Sequence, residues 1–121
     1  MIRVDKSKNI LVLYLNDKPF KHYRVATGLG GGTPVGEFKI INKIENPTWY
    51  KTGVVVQPGD PKNYLGTRWL GLDTPGYGIH GTIEPQSIGT HSTSGCVRML
   101  NREVEELFII VPQGTAVKIT E

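Results

Sequence analysis

Nucleophile, base and oxyanion donors can all be drawn from one stretch of this chain. Its single cysteine, Cys96, stands in the run Thr93-Ser94-Gly95-Cys96-Val97-Arg98-Met99, and His80-Gly81-Thr82 lies sixteen positions upstream. A thiol that attacks a carbonyl needs a base for its proton and preorganised donors for the oxyanion that forms. Gly95 allows a left-handed turn and lets a substrate carbonyl come close to the backbone. The N–H groups of Gly95 and Cys96 are the candidate oxyanion donors. Arg98 and a helix start at Asn101 predict an electropositive setting that lowers the thiol pKa. The commonest fate of a free cysteine is burial as a small hydrophobe. The glycine, the arginine and the upstream histidine weigh against that here.

Of the candidate bases, His80 is the stronger. It follows Tyr77-Gly78-Ile79, an expected strand end, and precedes Gly81-Thr82, so its ring is expected at a sheet rim. One ring nitrogen can take the thiol proton while the other bonds a carbonyl and fixes the tautomer. His91 is nearer to Cys96 but falls in the polar run Gly89 to Ser94, with no strand expected to aim it. A loop or substrate-rim role suits it better. His22 is expected on a surface strand. His80, His91 and Cys96 could in principle bind zinc, but no C-x-x-C or H-x-x-x-H spacing seeds such a site, so no metal is expected.

The elements around these residues are mostly strands. The chain has 121 residues, enough for one domain (1–121) with its own core. Fifteen Gly and eight Pro favour a turn-rich β architecture over a helical bundle. Ile10 to Leu15 reads as a strand buried on both faces, Asn16 to Pro19 as a turn, and Phe20 to Thr27 as the returning strand. Gly28 to Pro34 is a loop. It lacks the Gly-Lys-Ser/Thr ending of a phosphate cradle. Strands are predicted over Gly36 to Ile44, Gly53 to Gln57, Trp69 to Leu72, Tyr77 to His80 and Thr115 to Thr120. One helix is predicted from Arg102 to Ile110, capped by Asn101, with Val104 and Leu107 on its buried face. Trp49, Tyr50 and Trp69 are expected in the core or a groove wall.

Charge narrows the partners. A net charge of +3 with scattered Lys and Arg gives no basic helix or stripe, so nucleic-acid binding is not expected. No apolar run reaches the roughly 20 residues that span a bilayer. No charged-then-apolar leader opens the chain.

The residues that carry the chemistry also carry a resemblance. His80-Gly81-Thr82, Ser87-Ile88-Gly89 and Thr93-Ser94-Gly95-Cys96-Val97-Arg98-Met99 resemble the catalytic motif of the YkuD-type L,D-transpeptidases. Thr33-Pro34-Val35-Gly36-Glu37-Phe38 is similar to that family's Thr-Pro-x-Gly-x-Phe segment, and Asn63 to Leu70 to its Asn-x-Leu-Gly-x-Arg stretch. The resemblance covers nearly the whole chain. It implies a β-sandwich of mixed sheets with one short helix after the cysteine, and an enzyme that cross-links peptidoglycan stem peptides without a cofactor. Cys96 would attack the carbonyl of the third residue of a tetrapeptide stem, release D-alanine and pass the acyl group to an amine of another stem. His80 would move the proton, Gly81 would orient His80 through its carbonyl, and the backbone around Gly95 would form the oxyanion hole. Arg98, Ser94 and Thr93 would meet the substrate.

Many members read Ser-His-Gly-Cys where this chain has Thr93-Ser94-Gly95-Cys96, so a second histidine is absent; His91 is the candidate to replace it. Hydrolysis at the same site, as an L,D-carboxypeptidase, and a non-catalytic peptidoglycan-binding domain are the alternatives. The resemblance places a monomer outside the cytoplasm, at the cell wall or in a spore envelope.

Overall fold

Short alternating segments rich in Val, Ile and Leu build nearly all of this molecule, and one amphipathic helix closes it. The computed structural model describes residues 1–51 and 53–121. In chain order the strands are β1 (Ile2–Asp5), β2 (Ile10–Leu15), β3 (Lys18–Arg24), β4 (Thr27–Gly28), β5 (Gly36–Glu45), β6 (Trp49–Lys51) and β7 (Val54–Val56). They continue with β8 (Arg68–Leu72), β9 (Gly78–His80), β10 (His91–Thr93) and β11 (Val97–Arg98). Helix α1 (Asn101–Ile110) and strand β12 (Ala116–Thr120) end the chain.

Eight strands form one mixed sheet in the order β11-β9-β8-β5-β12-β1-β2-β3, and β10-β4 and β6-β7 form two small ribbons. The large sheet curls until its ends meet. Ala26, two residues past β3, exchanges both backbone bonds with Arg98 of β11, at 2.8 and 2.9 Å. The two halves of the curled sheet face each other as the layers of a sandwich. Ile2, Val4, Leu11, Leu13, Ile40, Leu70, Ile79, Val97, Val117 and Ile119 fill the space between them. Val104 and Leu107 of α1 add to the same core, as helical spacing predicts.

Four expectations are corrected. Strand β2 is not buried on both faces: Leu11 and Leu13 are buried, whereas Ile10, Val12 and Tyr14 alternate with them and are half-exposed. Its outer face lines only a shallow groove with Arg3 and Lys8. The turn after it is Asn16-Asp17 alone, both at positive φ (52° and 64°), the geometry of a two-residue hairpin. Lys18 and Pro19 already belong to β3, an edge strand where a missing N–H is tolerated. The returning strand stops at Arg24, and Thr27 and Gly28 pair instead with β10. Helix α1 starts at Asn101, with Leu100 in the capping position and no side-chain cap. The Asn101 amide is engaged elsewhere, as described below.

Candidate active site

The site assembles where the β8-β9-β11 end of the sheet meets the loops that follow it. His80 ends β9 and lies between Trp69 of β8 and Arg98 of β11 in the strand register. Central placement in three strands explains its burial, 4% exposed. The Trp69 ring stacks on the imidazole at 5.9 Å and 19°. His80 Nδ1 lies 2.6 Å from Gly81 O. A carbonyl can only accept, so Nδ1 carries the proton and Nε2 presents a lone pair.

Gly81 is held in turn. Asn101 Oδ1 accepts from Thr82 N (3.0 Å) and Thr67 N (3.3 Å), and its Nδ2 donates to Thr82 O (2.9 Å). A Cβ on Gly81 would collide with Asn101 Oδ1, so the residue must be glycine for the amide to dock.

Cys96 sits one residue before β11, and Val97 pairs with Ile79, which sets the cysteine beside Gly78. Its Sγ contacts Gly76 O at 3.5 Å. Gly95, at φ +140°, lies in the left-handed region, and a Cβ there would stand 2.6 Å from the Tyr77 ring. The turn is tied by a hydroxyl: Thr93 Oγ1 accepts from Gly95 N (3.1 Å) and donates to Cys96 O (2.7 Å). The Gly95 N–H, expected to be free for an oxyanion, is therefore already bonded.

The electrostatics differ from the sequence expectation. Burial pushes the Cys96 thiol above its ordinary value, outweighing the Gly78 N–H and Arg98, which pull it down. Burial drives His80 down to about 4, with Arg98 adding to the fall and the Gly81 bond opposing it. The resting pair is a neutral thiol and a neutral imidazole, not a thiolate beside a cation. A cation two residues along the chain does not offset the loss of solvent.

Arg98 is 9% exposed. One guanidinium N–H donates to Ser87 Oγ at 3.0 Å, and its buried Nε has no hydrogen-bond partner among the described residues. Trp49, Tyr64, Trp69, His80, Cys96 and Arg98 line one cleft of about 390 Å3, together with Thr93 and Ser94. Tyr64 and Trp49 meet edge to face at 5.2 Å in its wall.

His91 does not join this group. It opens β10 with an exposed side chain, and its Nε2 is 2.8 Å from Lys6 O. The strand missing from the sequence expectation aims the ring away, so His91 does not take the place of the absent second histidine. His22 is exposed on β3. Among the described residues, no three His, Cys, Asp or Glu side chains cluster as metal ligands. Two residues escaped the sequence reading: Asn101, taken for a cap, and Thr33, whose only signal was its Thr-Pro-x-Gly setting.

Residues 1–119 match the L,D-transpeptidase catalytic domain known as YkuD. The chain belongs to the L,D-transpeptidase catalytic domain family. It is 44% identical over 98% of its length to the putative L,D-transpeptidase YqjB of Bacillus subtilis, covering 69% of that protein. It is 43% identical over 98% of its length to the putative L,D-transpeptidase YkuD of the same organism, covering 64% of that protein. The chain thus spans about two thirds of these relatives. The solved catalytic domain of the Enterococcus faecium L,D-transpeptidase superposes with a TM-score of 0.78 at 25% identity, over 98% of this chain and 95% of that one. A Mycobacterium smegmatis L,D-transpeptidase shares the fold at TM-score 0.82 and 14% identity, over 99% of this chain and 58% of that one. The mostly β architecture with one helix is the one these L,D-transpeptidases share.

Proposed function

We propose that this L,D-transpeptidase domain is a cysteine acyltransferase that cross-links peptidoglycan stems outside the cytoplasm. The observation that carries the reading is the Gly81-oriented His80 in the same cleft as the chain's single thiol. In the proposed cycle a stem carbonyl meets Cys96, and His80 Nε2 takes the thiol proton as the S–C bond forms. The carbonyl π pair moves onto oxygen. It returns as the C–N bond breaks, and D-alanine leaves with the proton from His80. An amine of a second stem then attacks the thioester, gives a proton to His80 and restores the thiol. Because both groups rest neutral, proton transfer accompanies attack rather than preceding it.

The Arg98 guanidinium in the cleft lining supports a carboxylate on the substrate, since a charged donor gains most from an anion. The aromatic wall supports an elongated peptide with apolar faces. Among the described residues no helix is long and apolar enough to cross a membrane. The substrate class, rather than that feature, supports an extracytoplasmic place.

The test is intact-protein mass after incubation with a carbapenem, followed by product analysis with a tetrapeptide donor and an amine acceptor. Wild type should gain one acyl mass and Cys96→Ala none. His91→Ala should react as wild type does. A folded wild type that takes up no acyl group, or an adduct retained in Cys96→Ala, overturns the reading. Free tetrapeptide trimmed to tripeptide without cross-linked product would shift it to hydrolysis.

A further inference from the structure

The Thr33-Pro34 segment has no part in the cycle above, yet it reaches the catalytic turn from behind. Thr33 is 1% exposed. Its hydroxyl donates to Gly95 O at 2.8 Å and accepts from Gly28 N at 2.7 Å. Both roles of the hydroxyl are thereby filled, which leaves it one orientation. The Thr33 backbone is secured as well: the buried Lys6 ammonium bonds Thr33 O and, at 3.4 Å, Gly31 O.

Gly95 O belongs to the same peptide unit as Cys96 N–H. Among the described residues no peptide is cis, and in a trans unit the C=O and N–H point in opposite directions. Pinning the oxygen therefore aims the N–H. The unit needs pinning because glycine at φ +140° has no side chain to restrict it. The neighbouring donor, Gly95 N–H, is spent on Thr93 Oγ1. Two threonine hydroxyls thus divide the turn: Thr93 takes one N–H out of play, and Thr33 fixes the plane that carries the other.

We propose that Thr33 is a positioning residue that holds the Gly95–Cys96 peptide so that Cys96 N–H serves as the oxyanion donor during acylation. The inference rests on Cys96 being the acylated nucleophile. When Cys96 Sγ bonds to a carbonyl carbon, the π pair moves to oxygen, and the thiol proton passes to His80 Nε2. The new oxyanion then needs a donor already aimed at it. A misaimed peptide slows that step without changing the thiol, its base or the cleft.

That separation gives the test, made on the full chain. Acylation by a carbapenem forms an oxyanion; alkylation by iodoacetamide at a saturated carbon does not. In Thr33→Val, the rate constant for acylation should fall about 10–100-fold. Alkylation should stay within about twofold of wild type, since it needs no oxyanion donor. Thr33→Ser keeps the hydroxyl and should acylate at close to the wild-type rate, which keeps the proposal testable should the valine variant not fold. Equal slowing of both reactions in Thr33→Val, wild-type acylation in Thr33→Val, or a loss in Thr33→Ser as large as in Thr33→Val overturns the proposal. Absence of acylation in wild type would instead overturn Cys96 as acyl carrier, so the two failures are distinguishable.

Discussion

The floor of the cleft and its outer wall are built by opposite means. The floor is centred on β9, which pairs with β8 and β11, and β11 is bridged in turn to Ala26; with β10 alongside, it buries His80, Thr93 and Arg98. The wall is the β6-β7 ribbon, which pairs only with itself and leaves Tyr50 77%, Val54 52% and Val55 56% exposed. Its base is tied by the buried Asn63, whose Nδ2 reaches Pro47 O (2.8 Å) and Gln57 O (3.2 Å). A floor set by sheet register holds reacting atoms in place. A ribbon joined at its base can follow the shape of what enters. The difference assigns rate to the floor and affinity to the wall.

The largest effect should come from the floor residue nearest the chemistry. His80→Gln is expected to lower kcat by about 10²–10⁴-fold, the range of a lost general base. In wild type, the acid limb of kcat/KM should inflect near 4 rather than near the ordinary histidine value of 6.5, because burial keeps the imidazole neutral to lower pH. The same shift bears on stability. The unfolded chain takes up the His80 proton at 6.5 and the folded chain only near 4, so stability is full above 6.5 and declines as pH falls through that window. Denaturant titrations at pH 7.5, 5.5 and 4.5 check the sign. A limb near 6.5 would mean that His80 is hydrated in solution, and the contrast with the wall would lose its basis.

An intermediate effect is expected one layer out. Asn101→Leu removes the amide that holds Thr82 and Thr67, leaving the Gly81 carbonyl free to drift from His80. A fall in kcat of about tenfold with KM within about twofold would show rate control reaching through backbone to the floor. A change confined to KM would place Asn101 with the wall.

The smallest effect belongs to the wall itself. Tyr50→Ala should raise KM about threefold and leave kcat unchanged, since its exposed ring lines the cleft and makes no contact with His80 or Cys96 that would bear on the reacting bond. A loss in kcat instead would give the ribbon a part in the chemistry and erase the division.

Much of the floor was readable from residue types. A glycine before a lone cysteine, an arginine after it and a histidine at a strand end marked the proposed nucleophile and base, which the fold brings into one cleft. Their chemical states were not readable, because burial depends on what the curled sheet places above them. Strands β4, β10 and β11 are two or three residues long, too short to show a period, so His91 read as loop although register fixes it. Thr33 and Asn101 escaped for a related reason. Their side chains bond backbone groups 62 and 19 residues away, and no spacing rule reaches across such distances. The wall was half visible: its aromatics were expected in core or groove, but the Asn63 tie at its base needed the folded chain.

The seam at Ala26 and Arg98 joins opposite ends of the sheet, and Cys96 lies just beside it. The β9-β11 pairing sets Arg98 and Cys96 against His80, and the seam braces that pairing from the other edge of the sheet. The Thr33 hydroxyl reaches Gly95 O across 62 residues, so a chain whose curl has opened lacks that contact. On the proposed reading, the peptide beside the thiol is thus set by closure of the sheet. Acylation competence can therefore serve as a readout of a completed sheet.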